Sequence, residues 1–133
     1  ELYARLKEWL FRGNLDIVIT SLRRASRASL KVSRNAVAAS CAQAFKKLYD
    51  VSGHPEMVVE AADAFFGDSS SPVYRQVTMD IFSHQGKTGF FSRRAGCCLW
   101  WRTEQSNDYC SNCVLLSREQ QDARFQKTLE RQT

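Results

Sequence analysis

What this chain of 133 residues lacks narrows it first. No apolar run approaches the ~18 residues of a membrane-spanning helix, and the start shows no secretory pattern, so no stable membrane insertion is expected. Cysteine is nearly absent from the first 96 residues, where Cys41 stands alone. A secreted domain of this size more often staples distant loops with dispersed cysteine pairs, so a cross-linking role is disfavoured and a reducing, cytoplasmic setting is expected. The only histidines, His54 and His84, fall in turn-like segments away from any candidate nucleophile, which removes support for Ser-His-Asp chemistry. Internal repeats, linkers and low-complexity tracts are missing too. The length suits one domain, 1–133, and the start at Glu1 is consistent with the C-terminal portion of a longer protein.

Apolar residues make up 44% of the chain and charged residues 25%, the balance of a globular protein. The net charge of +5 is spread over Lys7, Arg12, Arg23, Arg24, Arg27, Lys31 and Arg34, then Arg93, Arg94 and Arg102. The first set reads as a solvated helical surface. Nucleic-acid binding would need basic groups gathered on one face with aromatic readers among them. The candidate readers, Trp100 and Trp101, instead sit inside a cysteine cluster, so no nucleic-acid partner is expected.

The pattern predicts an α+β fold, mainly helical, with a β-hairpin leading into a cysteine loop and a terminal helix. Leu2, Leu6, Trp9 and Leu10 recur at helical spacing, and Gly13-Asn14 reads as a stop and a new start. Leu15, Val18, Ile19 and Leu22 form the next stripe, fading into the polar Arg23–Ser29 stretch. Ser33 is the expected cap of a third helix with face Val37, Cys41, Ala44, Phe45 and Leu48. Cys41 on that face reads as a small core residue. A fourth helix begins at Pro55 and closes at Gly67, completing a helical part over 1–67. From Val73 the period changes to two, predicting a hairpin over 73–93 turned at Gln85-Gly86-Lys87. Ser117 with Gln120 makes a capping-box pattern for a helix over 117–133.

Between hairpin and terminal helix lie Cys97, Cys98, Cys110 and Cys113, a tetrathiolate set complete from local sequence. Zinc ribbons pair two C-x₂-C halves, whereas here a vicinal pair precedes one C-x₂-C. Adjacent cysteines project differently and strain any disulfide between them, so a metal is expected, iron-sulfur or zinc. Spacing leaves open which pair would serve which iron. Trp100, Trp101 and Tyr109 would shield such a centre, and Arg93, Arg94 and Arg102 would offset its negative charge, both tending to raise a reduction potential.

The run Arg93-Arg94-Ala95-Gly96-Cys97-Cys98-Leu99-Trp100-Trp101-Arg102, continuing to Tyr109-Cys110-Ser111-Asn112-Cys113, resembles the C-terminal motif of the FhuF family, the ferric siderophore reductases. Ser71-Pro72-Val73-Tyr74-Arg75-Gln76-Val77 is similar to the segment preceding that motif, and Asn35-Ala36 is a fainter echo. Two features depart from the family pattern: eleven residues separate Cys98 from Cys110, one more than usual, and Val114 replaces a proline. The extra residue falls in the polar, turn-prone Thr103–Asp108 stretch, and neither change removes a ligand.

The resemblance implies that Cys97, Cys98, Cys110 and Cys113 bind one 2Fe-2S cluster over the 97–113 motif. It implies cytoplasmic one-electron reduction of Fe(III) held by a siderophore, with electrons from a ferredoxin or flavoprotein reductase. Hydroxamate oxygens hold Fe(III) tightly and Fe(II) weakly, so one electron releases the metal without an acid, base or nucleophile. Arg75, Lys87, Arg93, Arg94 and Arg102 are the expected binding residues for an anionic ferric complex or an acidic donor. A zinc-stabilised interaction module and an iron-sulfur redox sensor are the competing readings.

Overall fold

The computed structural model describes residues 1–106 and 108–132. It is an α+β fold of helices around one antiparallel hairpin. Helix α1 (Leu2–Leu10) does not stop at Gly13-Asn14, because a π-helical turn over Phe11–Leu15 carries the chain straight into α2 (Asp16–Ser26). The buried residues of this long helix, Phe11 and Ile19, explain the turn. In an ideal α-helix eight residues apart means about 80° of misalignment, and the wider π turn takes up part of that angle. The stripe expected to face the core is largely exposed instead: Leu2, Leu6, Trp9, Val18 and Leu22 lie on the surface.

Arg27, in the left-handed conformation, ends α2. Helix α3 (Leu30–Val51) starts one turn earlier than expected, since Ser29, not Ser33, accepts the Val32 N–H. Its buried residues are Asn35, Ala38 and Ala42, with Val37, Cys41 and Phe45 packed beside them, while Ala44 and Leu48 are exposed. Small side chains at i, i+3 and i+7 let α4 (Pro55–Gly67) approach closely. Phe11, Phe45, Phe65 and Phe66 fill the space between the helices, with ring centroids 5.2–5.9 Å apart.

The hairpin begins at Val77 rather than Val73. Residues 71–76 turn instead, with Arg75 left-handed at φ 53° and its N–H bonded back to the Phe66 carbonyl. Val73 and Val77 are both buried as their apolar character requires, but a single left-handed residue between them breaks the period of two. Strand β1 (Val77–His84) pairs with β2 (Lys87–Arg94) in the register Val77↔Arg94 to His84↔Lys87. The turn is Gln85-Gly86 alone, both at positive φ, the geometry that matches strand twist in a two-residue connection.

Alternation along the strands gives the hairpin two working faces. Val77 and Met79 pack toward α3 and α4, and Phe90 meets Tyr49 of α3. On the other face Phe82 and Phe91 meet Phe125 of α5 (Arg118–Glu130), Phe91 stacking on it at 4.4 Å. Gly89 permits this approach, because a Cβ there would lie 2.6 Å from Phe91 and 3.1 Å from Leu129. The capping box of Ser117 and Gln120 forms as expected. The last residue of the expected helix, Thr133, lies outside the described residues, as does Asn107 within the cysteine motif.

Candidate metal centre

The cysteine segment leaves the end of β2, as its place in the sequence requires. Two backbone bonds fix its root: Ala95 N–H to the Gln76 carbonyl at 3.0 Å, and Arg94 N–H to the Asn112 carbonyl at 3.3 Å. The second ties the start of the motif to its C-x₂-C end. That end is held further by Asn112, whose amide donates to Ser92 Oγ at 2.9 Å, and by buried Gln121 of α5, whose Nε2 donates to the Cys113 carbonyl at 2.8 Å. Arg124 adds bonds to the Tyr109 carbonyl and to Asp108.

The first half is shaped by Gly96 and Leu99. Gly96 lies against the Asn35 side chain, where a Cβ would come within 3.2 Å of Asn35 Nδ2. Leu99 is left-handed at φ 61°, and its N–H points at Cys97 Sγ, 3.3 Å away. A short 3₁₀ turn, Trp100–Arg102, follows. Trp101 meets Tyr109 edge-on at 5.9 Å, and Arg102 lies over Trp101. These rings wall the loop yet remain partly in solvent, Trp100 at 44% and Trp101 at 42% exposure.

All four motif cysteines are free thiols; Cys113 is buried and the others half-buried. Cys98 and Cys110 come from opposite halves of the motif. Burial works to raise the Cys98 pKa, but the Trp100 backbone, the Arg94 guanidinium and the Cys110 thiol outweigh it and hold Cys98 below its usual value. Burial and the neighbouring sulfurs of Cys98 and Cys113 push Cys110 up. Cys41, raised by burial, packs among the α3–α4 core residues.

Among the described residues no three His, Cys, Asp or Glu side chains are grouped to hold a metal ion. The donor chemistry fits an iron-sulfur group: free thiols, a backbone N–H aimed at sulfur, and a fixed positive charge alongside.

The five expected binding residues separate. Arg94 and Arg102 belong to the cysteine loop. Arg93 points to the other face of the hairpin, bonding Asp80 at 2.7 Å, Asp122 and Gln121 and stacking over Phe125. Lys87 sits at the far end of the hairpin, donating to the carbonyls of Leu129 and Gln132. Arg75 lies over Tyr74 and lines an open cavity of about 490 Å³ with Asp63, Phe66 and Thr78. Of the residues that hold the loop, Asn112 lies within the cysteine motif and Asn35 in its fainter echo, whereas Gln121 and Arg124 fall outside both.

No curated protein and no solved structure matches the chain. Residues 94–115 match the family described as the FhuF 2Fe-2S C-terminal domain. The matched segment runs from Arg94 through all four loop cysteines to Leu115, and the similarity is to that segment of the chain.

Proposed function

We propose that Cys97, Cys98, Cys110 and Cys113 hold one 2Fe-2S cluster and that the protein is a cytoplasmic ferric siderophore reductase. The observation that carries this reading is the match over residues 94–115, which contains the vicinal pair and the C-x₂-C together with their shared root on β2. When bound, the cluster would supply one-electron transfer. The chain's own part is to hold four thiolates at the surface end of a rigid hairpin. The Leu99 N–H supports Cys97 sulfur, and the partly exposed Trp100 and Trp101 leave a short path to a docked partner. The substrate is Fe(III) in a hydroxamate-type siderophore, and the donor a ferredoxin or flavoprotein reductase. Arg102, at the loop surface, is the cation best placed to meet an anionic complex.

Freshly purified protein is expected to be coloured, to contain iron and inorganic sulfide, and to bleach with dithionite. Anaerobic mixing of the reduced protein with a ferric hydroxamate should restore the oxidised spectrum and yield Fe(II). A colourless protein with one zinc per chain would overturn the cluster, and a reduced cluster that ignores the ferric complex would point to a sensor. Cys97→Ser should lose colour and iron together; an unchanged spectrum would remove Cys97 from the ligand set.

A further inference from the structure

Asn35 is the most completely enclosed polar residue among the described residues, at 0% exposure, and sits in an alanine-rich helix far from the motif cysteines in sequence. Its two amide ends do different work. Nδ2 donates to the Gln76 carbonyl at 3.0 Å, the same carbonyl that receives the Ala95 N–H at the root of the loop. Oδ1 accepts from Arg94 twice, from Nε at 2.8 Å and Nη2 at 2.6 Å. Gly96 rests on this side chain, where any Cβ would crowd it. The guanidinium is thus fixed by a neutral partner beneath the cysteine loop, and among the described residues no carboxylate pairs with it. Neighbouring Arg93 differs: Asp80 and Asp122 neutralise it.

We propose that Asn35 is a positioning residue that clamps the Arg94 guanidinium at the root of the cysteine loop and thereby raises the reduction potential of the centre the loop cysteines hold. The inference rests on the cluster reading above. Reduction adds one negative charge to the site, and a fixed cation with little freedom to turn away favours the reduced state. An amide suits the task because it orients a guanidinium with good acceptor geometry without supplying a counter-charge.

The test is a spectroelectrochemical titration of cluster-loaded wild type, Asn35→Ala, Asn35→Asp, Arg94→Gln and the Asn35→Ala/Arg94→Gln pair, with iron and sulfide measured in each. Arg94→Gln should lower the equilibrium constant for one-electron reduction about tenfold, a shift of about 59 mV. Asn35→Ala should lower it in the wild-type background and add little once Arg94 is Gln, because Asn35 acts through that residue. Asn35→Asp keeps a partner for Arg94 and serves if Asn35→Ala does not fold; its carboxylate cancels the charge, so the potential should fall at least as far. Loaded variants whose potentials equal wild type would overturn the inference, as would equal losses from Asn35→Ala with and without Arg94. Wild-type protein without iron and sulfide would instead overturn the cluster reading.

Discussion

Arg93 and Arg94 are sequence neighbours at the end of β2, and strand alternation sends them to opposite faces of the hairpin. Arg93, its side chain 11% exposed, meets two carboxylates and an aromatic ring. Burial works to lower its pKa, and the bonds to Asp122 and Asp80 more than restore it. Removing it leaves those half-buried carboxylates without their shared cation, so Arg93→Met should cost ~2–3 kcal/mol in urea denaturation. The same change should leave the spectrum of a loaded centre almost untouched. Arg94→Gln should show the reverse balance, a small stability loss and a clear change in potential. Two identical residue types in a motif give no warning of this division, because the partners that define it, Asp122 and Asn35, are 29 and 59 positions away.

At the level of elements, the terminal helix does more than close the fold. Its capping box fixes where α5 begins, and the first turn carries Gln121 to the Cys113 carbonyl. Ser117→Ala should therefore cost about 1 kcal/mol and speed amide exchange at both the first turn of α5 and the C-x₂-C. Confinement of the faster exchange to α5 would show that the cap does not support the loop. This element was legible because capping boxes are local: two side chains three residues apart satisfy each other's backbone N–H groups. The start of β1 was not. Apolar alternation from Val73 looks the same whether the chain extends or turns, and the left-handed Arg75 is selected by a bond to Phe66 on α4.

For the molecule as a whole, Lys7 of α1 bonds Asp68 and Ser70 in the loop before the hairpin, fastening the N-terminal helix to the rest. The Lys7 bond, followed by those from Ser70, lowers the Asp68 carboxyl to about 2. A depressed carboxyl contributes stability that is complete above its unfolded value, near ~3.9, and is lost as pH falls through about 2. Asp68→Asn should accordingly flatten the pH dependence of thermal unfolding between these values and leave the rest of the curve in place. Stripping iron from a loaded protein should preserve the far-UV helical signal, since the α3–α4 and hairpin–α5 cores contain no motif cysteine except Cys113 at their margin. Limited proteolysis should then cut the exposed 99–105 stretch faster than in the loaded form, while equal rates would show that the loop owes nothing to its centre.

The sequence by itself determined the helices, the hairpin, the terminal cap and the four thiols, because each rests on periodicity or contacts within a few residues. The cysteine set spans only positions 97–113 and needed no fold to be seen. Tertiary structure alone decided which apolar stripe of α1 and α2 is buried, through a π turn that realigns Phe11 with Ile19. It also decided which arginine takes a neutral partner at the root of the cysteine loop and which is neutralised by carboxylates. A charge's effect depends on its partners and their distance, and here those partners come from helices that only folding brings to the hairpin.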